Sequence, residues 1–497
     1  MPCRRAVPPN IQGSRAGGVR SRIGCGSSQF PADGILKAHS RPAGTNAIAS
    51  LHKNLGLLEA TGLSIATIAP TLALAFNVSL AVQAAGPAAP LAFAIGTVVV
   101  LVVGLSYVAW SRRVAHAGAA YGYIAQAFGK RWGFMAGWAM LLAYAAFAAG
   151  TSALVGNFIQ AALRTGGFHA QGIAAAVSAV GLVAATLLGR YDMRLAGRTM
   201  LLLEGGSLLA VVALALVVVG KTAALHALSA QPFMPSPEHR GWAGVGYALV
   251  FAVLSFGGFE AAATLGEETS NPHRNIPLAM LGTLLLAGTL YVFVAYAQVI
   301  GFGLANSAAL ASDPAPLDTL AVHYLSRGYA VALDLAAALG GFSCVLGSLS
   351  AAGRMLYALG RAGLVPARKQ SLGNAILAVG ALSLACLLGW AKTTPGDFYG
   401  ALGTIGTLAL ILVYMGVALA EARQAAAERR RAGILLGVAG MLLLVWPLVN
   451  SVYPEPPYPG NLWPFLVLAW FGCGAALLFA RPELSRHSVP EIVEAKG

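Results

Sequence analysis

Residues 251–277 read FAVLSFGGFEAAATLGEETSNPHRNIP. The stretch opens as an apolar helix, is interrupted by Gly257–Gly258, and is expected to resume as a helix carrying the acid Glu260. Glu267, Glu268, Asn271–Pro272, Arg274 and Pro277 then take the chain out of the apolar region. A helix broken at bilayer depth exposes main-chain N–H and C=O groups where no water can satisfy them. Such a break survives only where protein or a small polar ligand supplies the partners. The segment therefore reads as half of a binding site inside a membrane.

The rest of the chain supports that setting. Only 10% of its residues are charged and 57% are hydrophobic, with 60 glycines, whereas soluble domains carry about 25% charged residues. About 12 apolar runs have the length of a bilayer crossing. They lie near 57–82, 88–110, 132–162, 172–189, 199–220, 242–266, 277–302, 329–353, 373–390, 397–420, 432–450 and 462–480. The net charge of +14 does not point to nucleic acid, because its placement is topogenic. With residues 1–56 inside, 27 of the 32 Lys and Arg fall on the inner side, leaving only Arg164, Lys221, Arg240, Arg327 and Lys392 outside. An inner (plasma) membrane location with both termini cytoplasmic follows. The five cysteines have no paired spacing, and no histidine sits mid-span, so no metal or disulfide framework is expected.

Three regions follow from the pattern: a basic cytoplasmic tail over 1–54, a transmembrane domain over 55–480, and a cytoplasmic tail over 481–497. The domain divides into repeats near 55–220 and 242–420, with two added helices near 432–480. Residues 1–50 have one acid, Asp33, and no helical period, which reads as disorder or as a start placed too far upstream. Residues 111–131, with Tyr121, Tyr123 and Phe128, suit a short helix along the inner interface.

The first span is irregular too. GLSIATIAPTLALAFN, from Gly62 to Asn77, holds Ser64, Thr67, Pro70 and Thr71 in apolar surroundings. Proline removes one backbone bond and clashes with the preceding turn, so the helix should kink or open just before Pro70. Interrupted helices at matching places in two five-span halves point to a midplane site in inverted-repeat carriers. A kinked packing helix is the plainer alternative for span 1 alone. The physics of paired breaks favours a zwitterion. Half-helix N-termini offer N–H groups and a positive dipole end to a carboxylate, while freed carbonyls accept from an ammonium group.

Four blocks then carry a family resemblance: SIATIAPT (64–71), AGAAYGYIAQAFGKRWGFMAGW (117–138), SFGGFEAAATLGEETSNPHRNIP (255–277) and SLSAAGRMLYALGRAGLVP (348–366). The chain resembles an amino acid permease of the amino acid–polyamine–organocation superfamily over about residues 55–480. The resemblance implies an all-α membrane fold of about 12 helices: a five-plus-five inverted repeat with discontinuous helices 1 and 6, plus two peripheral helices. It also implies transport by alternating access. Carried over by motif, main-chain groups of Ser64, Ile65, Ala66 and Thr67 would hold the substrate carboxylate. The carbonyls of Leu254, Phe256 and Gly257 would hold its amino group, with Phe256 either a gate over the pocket or plain core. Tyr144, Phe147 and Ala148 fall where the family lines its pocket, as do Gly403 and Thr404 less directly.

Two acids lie inside apolar spans. An ionised residue at a helix centre costs on the order of 2.5–3.5 kcal/mol, so Glu260 and Glu204 need partners or protons. Glu260 reads either as a proton carrier or as a permanently protonated hydrogen-bonding group. Glu204 reads as a helix-packing group, with coupling as the alternative. Some family members carry a lysine in span 5 that replaces a sodium ion, and here Ser207 stands in its place. Sodium, with Ser343 as a conceivable ligand, stays open beside the proton. Arg354 and Arg361 are either topogenic or a gate contact to Glu267 or Glu268.

No phosphate-binding glycine loop is present, and no acid pair or histidine cluster suits a hydrolase. The expectation is a secondary carrier of amino acids rather than an enzyme, by proton symport or exchange. A polyamine or other organic amine carrier, or a carrier-like sensor, is the alternative. The expected partners are the amino acid, a proton or sodium ion and the bilayer, with no cofactor and no nucleic acid; a homo-oligomer is compatible.

Overall fold

The computed structural model describes residues 55–114, 119–168, 172–190, 193–266, 268–364, 371–389, 393–453 and 458–485. The expected tails over 1–54 and beyond 485 therefore lie outside the described residues, as does Glu267. Within the described residues the protein is all-helical, with one isolated bridge between Leu55 and Thr269.

The helices are α1 (Leu57–Ile68), α2 (Pro70–Ala85), α3 (Ala89–Ser111), α4 (Ala120–Phe128), α5 (Lys130–Thr165), α6 (Ile173–Leu188), α7 (Met193–Ala224) and α8 (Gly241–Phe256). They continue as α9 (Pro272–Phe302), α10 (Ser307–Ser312), α11 (Pro316–Tyr324), α12 (Arg327–Leu359), α13 (Leu372–Gly389), α14 (Pro395–Ala427), α15 (Arg431–Asn450) and α16 (Trp463–Ala480). Among the described residues ten stretches are long and apolar enough to cross a bilayer. One of these, Leu57–Ser111, is long enough for two passes, and the 16-residue α6 adds a shorter one. That accounts for the expected crossings.

Two five-pass halves follow from the order and from the packing. Each half starts with an interrupted helix, and counterparts pack on one another: α2 on α8, α3 on α9, α5 on α12 and α6 on α13. The last two helices are peripheral; on α16 only Trp463, Val467 and Gly474 are buried. A reciprocal pair anchors α16, since Trp138 Nε1 donates to Trp470 O and Trp470 Nε1 to Trp138 O, both at 2.9 Å. The short α4 turns Tyr121 and Tyr123 inward, where both are buried.

Both interruptions have a local cause. Pro70 has no N–H to donate, and the residue before a proline avoids the helical region. Ala69 accordingly sits at φ 43°, ψ 69°, and α2 restarts with proline in its first turn, where the missing donor costs nothing. In the second half, α8 ends at Phe256, and Gly258 takes φ 105°, a conformation suited to glycine. The chain resumes as a tight 3₁₀ segment, Phe259–Leu265, rather than the expected α-helix. The two breaks touch: a Cβ on Gly258 would lie 2.3 Å from Thr67 Cγ2.

Gly258→Ala is therefore expected to destabilise the detergent-purified protein by about 1–3 kcal/mol. Adding Thr67→Ser, which removes the touching methyl, should return part of that loss. Melting temperatures by scanning fluorimetry read both effects; an unshifted Gly258→Ala would contradict the geometry.

Candidate functional site

A cavity of about 700 Å³ enters beside the N-terminus of α14. Its walls include Phe76 and Ser79 of α2, Tyr247 and Phe251 of α8 and Asn157 of α5, and it reaches inward to Thr404 of α14. Among the described residues its only charged lining groups are Asp313 and Asp397.

Under this vestibule a polar web joins four helices. Tyr399 donates to Asn77 Oδ1 at 2.9 Å, Asn77 Nδ2 to Ser255 Oγ at 2.8 Å, and Tyr291 to the Ser255 carbonyl at 2.6 Å. Phe256 is fully buried, its ring 4.9 Å from that of Tyr291. The Phe147 ring lies between two glycines of facing helices: an added Cβ at Gly406 would stand 2.6 Å from it, and one at Gly257 3.1 Å. The ring thus fills the space between α14 and the break after α8.

One layer further in stands Glu260, fully buried. Tyr144 of α5 donates to Oε1 at 2.8 Å and Tyr414 of α14 donates to Oε2 at 2.7 Å. Tyr107 closes the aromatic surround, with ring centroids 5.4 Å from Phe259 and 5.7 Å from Tyr414. Two helices, α5 and α14, are thus bonded to one carboxyl group of the 3₁₀ segment. At the far end Arg354 of α12 pairs with Glu268 in a two-pronged contact, Nε to Oε1 at 2.9 Å and Nη2 to Oε2 at 3.1 Å. Leu55 adds main-chain bonds to Glu268 and Ser270.

The other expected residues have these places. Ser64 ties the breaks together, donating to Phe259 O at 2.7 Å and accepting from Ala262 N at 3.3 Å. Ile65 and Ala66 are buried within α1, where Ser64–Thr67 are helical, and Thr67 O accepts from Cys344 Sγ at 3.1 Å. Leu254 O accepts from Gly257 N at 2.9 Å, closing the last turn of α8. Ala148 is buried on α5, Leu254 packs against Gly403, and Thr404 Oγ1 bonds to Gly400 O on the vestibule floor. Glu204 stands apart from Glu260, bonded to Thr71 N. Ser207 and Ser343 are buried in α7 and α12.

Sequence reasoning missed Tyr414, Tyr399 and Asn77. Asn77 carried a signal, being an amide in an apolar span; the two tyrosines carried none, because only the fold brings them to Glu260 and Asn77. Among the described residues no cluster of His, Cys, Asp or Glu could hold a metal ion.

A family defined as amino acid permease matches residues 55–476, which contain every layer just described. The chain belongs to that family. Two relatives are branched-chain amino acid permease BcaP from Lactococcus lactis subsp. cremoris (strain MG1363), 27% identical over 84% of this chain and 92% of the relative, and cationic amino acid transporter 4 from Homo sapiens, 28% identical over 49% and 40%. The low-affinity putrescine importer PlaP of Escherichia coli (strain K12) is 26% identical over 56% of the permease and 60% of the importer.

The Arg354–Glu268 pair gives a directional prediction. Arg354 is 1% exposed and Glu268 13%, so removing the acid strands the deeper charge. Glu268→Gln should cost about 3–5 kcal/mol, and Arg354→Gln less, because Glu268 keeps partial access to water. Melting temperatures of the two variants and of the double variant test the order; equal losses would count against it.

Proposed function

We propose that this permease carries an α-amino acid across the membrane by alternating access, with proton movement through Glu260. The single observation that carries the reading is the asymmetry along the paired breaks. A vestibule approaches the breaks from one end, and three contacts lie beyond it: the Phe147 ring, the Tyr144–Glu260–Tyr414 contact and the Arg354–Glu268 pair. A channel would need a continuous path, whereas a carrier needs this one-sided closure.

The charge pattern supports assigning the vestibule to the outside and the Arg354 end to the cytoplasm. In that orientation substrate enters over Thr404 and reaches the breaks once Phe147 moves aside. For main-chain N–H groups of Ser64–Thr67 to meet a carboxylate, α1 must open further than it does here, since those groups belong to the helix ladder. The carbonyls of Phe256 and Gly257, at the end of α8, suit the ammonium end of the same molecule.

Glu260 links the proton to the inner barrier by hydrogen-bond count. Both of its oxygens accept from a phenol. A proton on either oxygen turns an acceptor into a donor, so one tyrosine contact must rearrange. Proton uptake and loosening of the α5–α14 layer are then one event.

Relatives acting on branched-chain and cationic amino acids support the amino acid class. An organic amine is the second reading. Asp313 and Asp397, the acids of the vestibule, favour it, and the putrescine importer among the relatives agrees.

The test is uptake by proteoliposomes across a panel of labelled amino acids and diamines, with proton and sodium gradients imposed separately. Saturable, proton-stimulated uptake and counterflow of an amino acid are expected. Flux without saturation would identify a channel, and diamine uptake alone would favour the second reading. Glu260→Gln should lose about tenfold of the proton stimulation while still inserting in the membrane; unchanged pH dependence would remove Glu260 as the carrier of the proton.

A further inference from the structure

The acid that this scheme leaves unused is Glu204 of α7. It is fully buried, and its Oε1 accepts from the main-chain N–H of Thr71 at 2.7 Å. Thr71 is the second residue of α2. Pro70 before it has no N–H, and Ala69 at the cap position supplies no side-chain acceptor. The first turn of a helix presents unbonded N–H groups and the positive end of a dipole, and both call for an acceptor or an anion. Here a different helix supplies it, so Glu204 is the cap of the restarted half-helix.

Among the described residues that carboxyl group makes no ion pair; its one hydrogen-bond partner is Thr71 N. The titratable side chains that face it are Tyr291 of α9 and Cys344 of α12, and both donate elsewhere, to Ser255 O and Thr67 O. On the side of α2 there is no ionisable residue, and on α1 the only one is Glu59, bonded to Gly56 N at the far end. Two further acids stand on helices packed against α7: Asp318 of α11, bonded to Thr165, and Asp334 of α12, buried with an unpartnered Oδ2.

The Thr71 hydroxyl also faces this carboxyl group, and neither it nor Glu204 Oε2 reaches full hydrogen-bonding geometry with any partner although both are buried. Gly340 of α12 keeps the space beside Oε2, where a Cβ would stand at 2.8 Å. Further along α2, Gln298 reaches Leu74 O through Nε2 at 2.7 Å, and its Oε1 is again buried and unpartnered. Ser79 Oγ is the next such atom, and Ser79 lines the vestibule. Unsatisfied polar atoms thus lie on or against α2 at three places between Ser79, which lines the vestibule, and Thr71 beside the carboxyl group.

We propose that Glu204 is a second proton-binding site, loaded from the vestibule along α2, whose protonation releases α2 from α7. The proposal rests on the carrier reading above and adds a coupling site to it. The step is a protonation and nothing else: a proton from vestibule water binds Oε2, giving a neutral acid. Oε1 still accepts from Thr71 but no longer as an anion, so the charge-assisted bond and the dipole interaction both weaken. A sodium ion suits this seat poorly. The fixed partner is an N–H donor at a positive helix end, which repels a bare cation yet tolerates a proton carried covalently on oxygen.

Glu204→Gln keeps an acceptor for Thr71 N and removes the titrating group. Infrared titration of the reconstituted permease reads buried protonated carboxyls directly, without a substrate. We expect one titrating buried component to be lost in Glu204→Gln and a different one in Glu260→Gln, with the buried Asp334 untouched by either. In proteoliposomes Glu204→Gln should lose about tenfold of proton-driven accumulation and at most about threefold of counterflow, with L-leucine as the first labelled probe and the panel's best amino acid as the second. An unchanged infrared titration, or equal losses in accumulation and counterflow, would overturn the proposal. Should Glu204→Gln not assemble, a Glu260→Gln/Asp334→Asn protein decides instead: a titrating buried carboxyl must persist in it and shift when Gly340→Ala, which crowds Glu204 Oε2, is added, and the absence of that shift overturns the site. Absence of counterflow in the unaltered permease for every amino acid would sink the carrier reading, and the infrared arm would still judge Glu204.

Discussion

Every main-chain polar group at bilayer depth must find a partner inside the protein, and this fold is organised around meeting that demand twice. Each half of the chain breaks a helix where lipid offers nothing to bond. The partners come from elsewhere in the bundle: Ser64 for the 3₁₀ segment, Glu204 for the start of α2 and Cys344 for the end of α1. Those side chains belong to three helices, α1, α7 and α12, so the breaks fix how the helices pack. Gly258 and Gly347 complete the arrangement by letting Thr67 approach, since a Cβ at either would come within 2.7 Å of its side chain.

On the proposed reading the same constraint explains why function would collect here. Bonds that close a break are side-chain bonds, and side-chain bonds exchange partners with little disturbance to the rest of a helix. A substrate with a carboxylate and an ammonium group offers the same chemistry as those side chains, so it can replace them. Apolar packing elsewhere has no such substitute. Residues such as Leu249, Ala252 and Val253 in α8 are buried against neighbours and gain nothing from a small polar ligand.

Much of this was legible in the sequence. Gly257–Gly258 and Pro70 mark the breaks because each residue type leaves the helix for a stereochemical reason independent of tertiary context. The crossings were legible because lysine and arginine placement checks the hydropathy count. The finer site was not. Glu260 stood out as an acid in an apolar run, but its partners Tyr144 and Tyr414 lie 116 and 154 residues away in sequence, and no periodicity encodes such a distance. The 3₁₀ form of residues 259–265 was illegible for a different reason: an alanine-rich stretch favours the α-helix by propensity, and the tight geometry is imposed by Ser64 bonding to both Phe259 and Ala262. Of the two readings open for Arg354, burial and a two-pronged contact with Glu268 select the ion pair.

The two breaks are alike in position but not in construction, and the difference bears on how they can move. Ala69 takes a left-handed conformation without being glycine, which costs roughly 1–2 kcal/mol, and only one main-chain donor beyond it is held from outside, by an ionisable group. Gly258 takes its positive φ without that cost, and the segment after it is held by a neutral hydroxyl and by two phenols on Glu260. The first break is therefore strained and controlled by charge, and the second is relaxed and controlled by hydrogen-bond count. A change of protonation acts on them differently. At Glu204 it removes the attraction that holds α2 in place, whereas at Glu260 it forces an exchange of donors without removing any contact from the backbone. The two halves thus need not move together, and on the proposed carrier reading the asymmetry of their bonding would give alternating access an order of events.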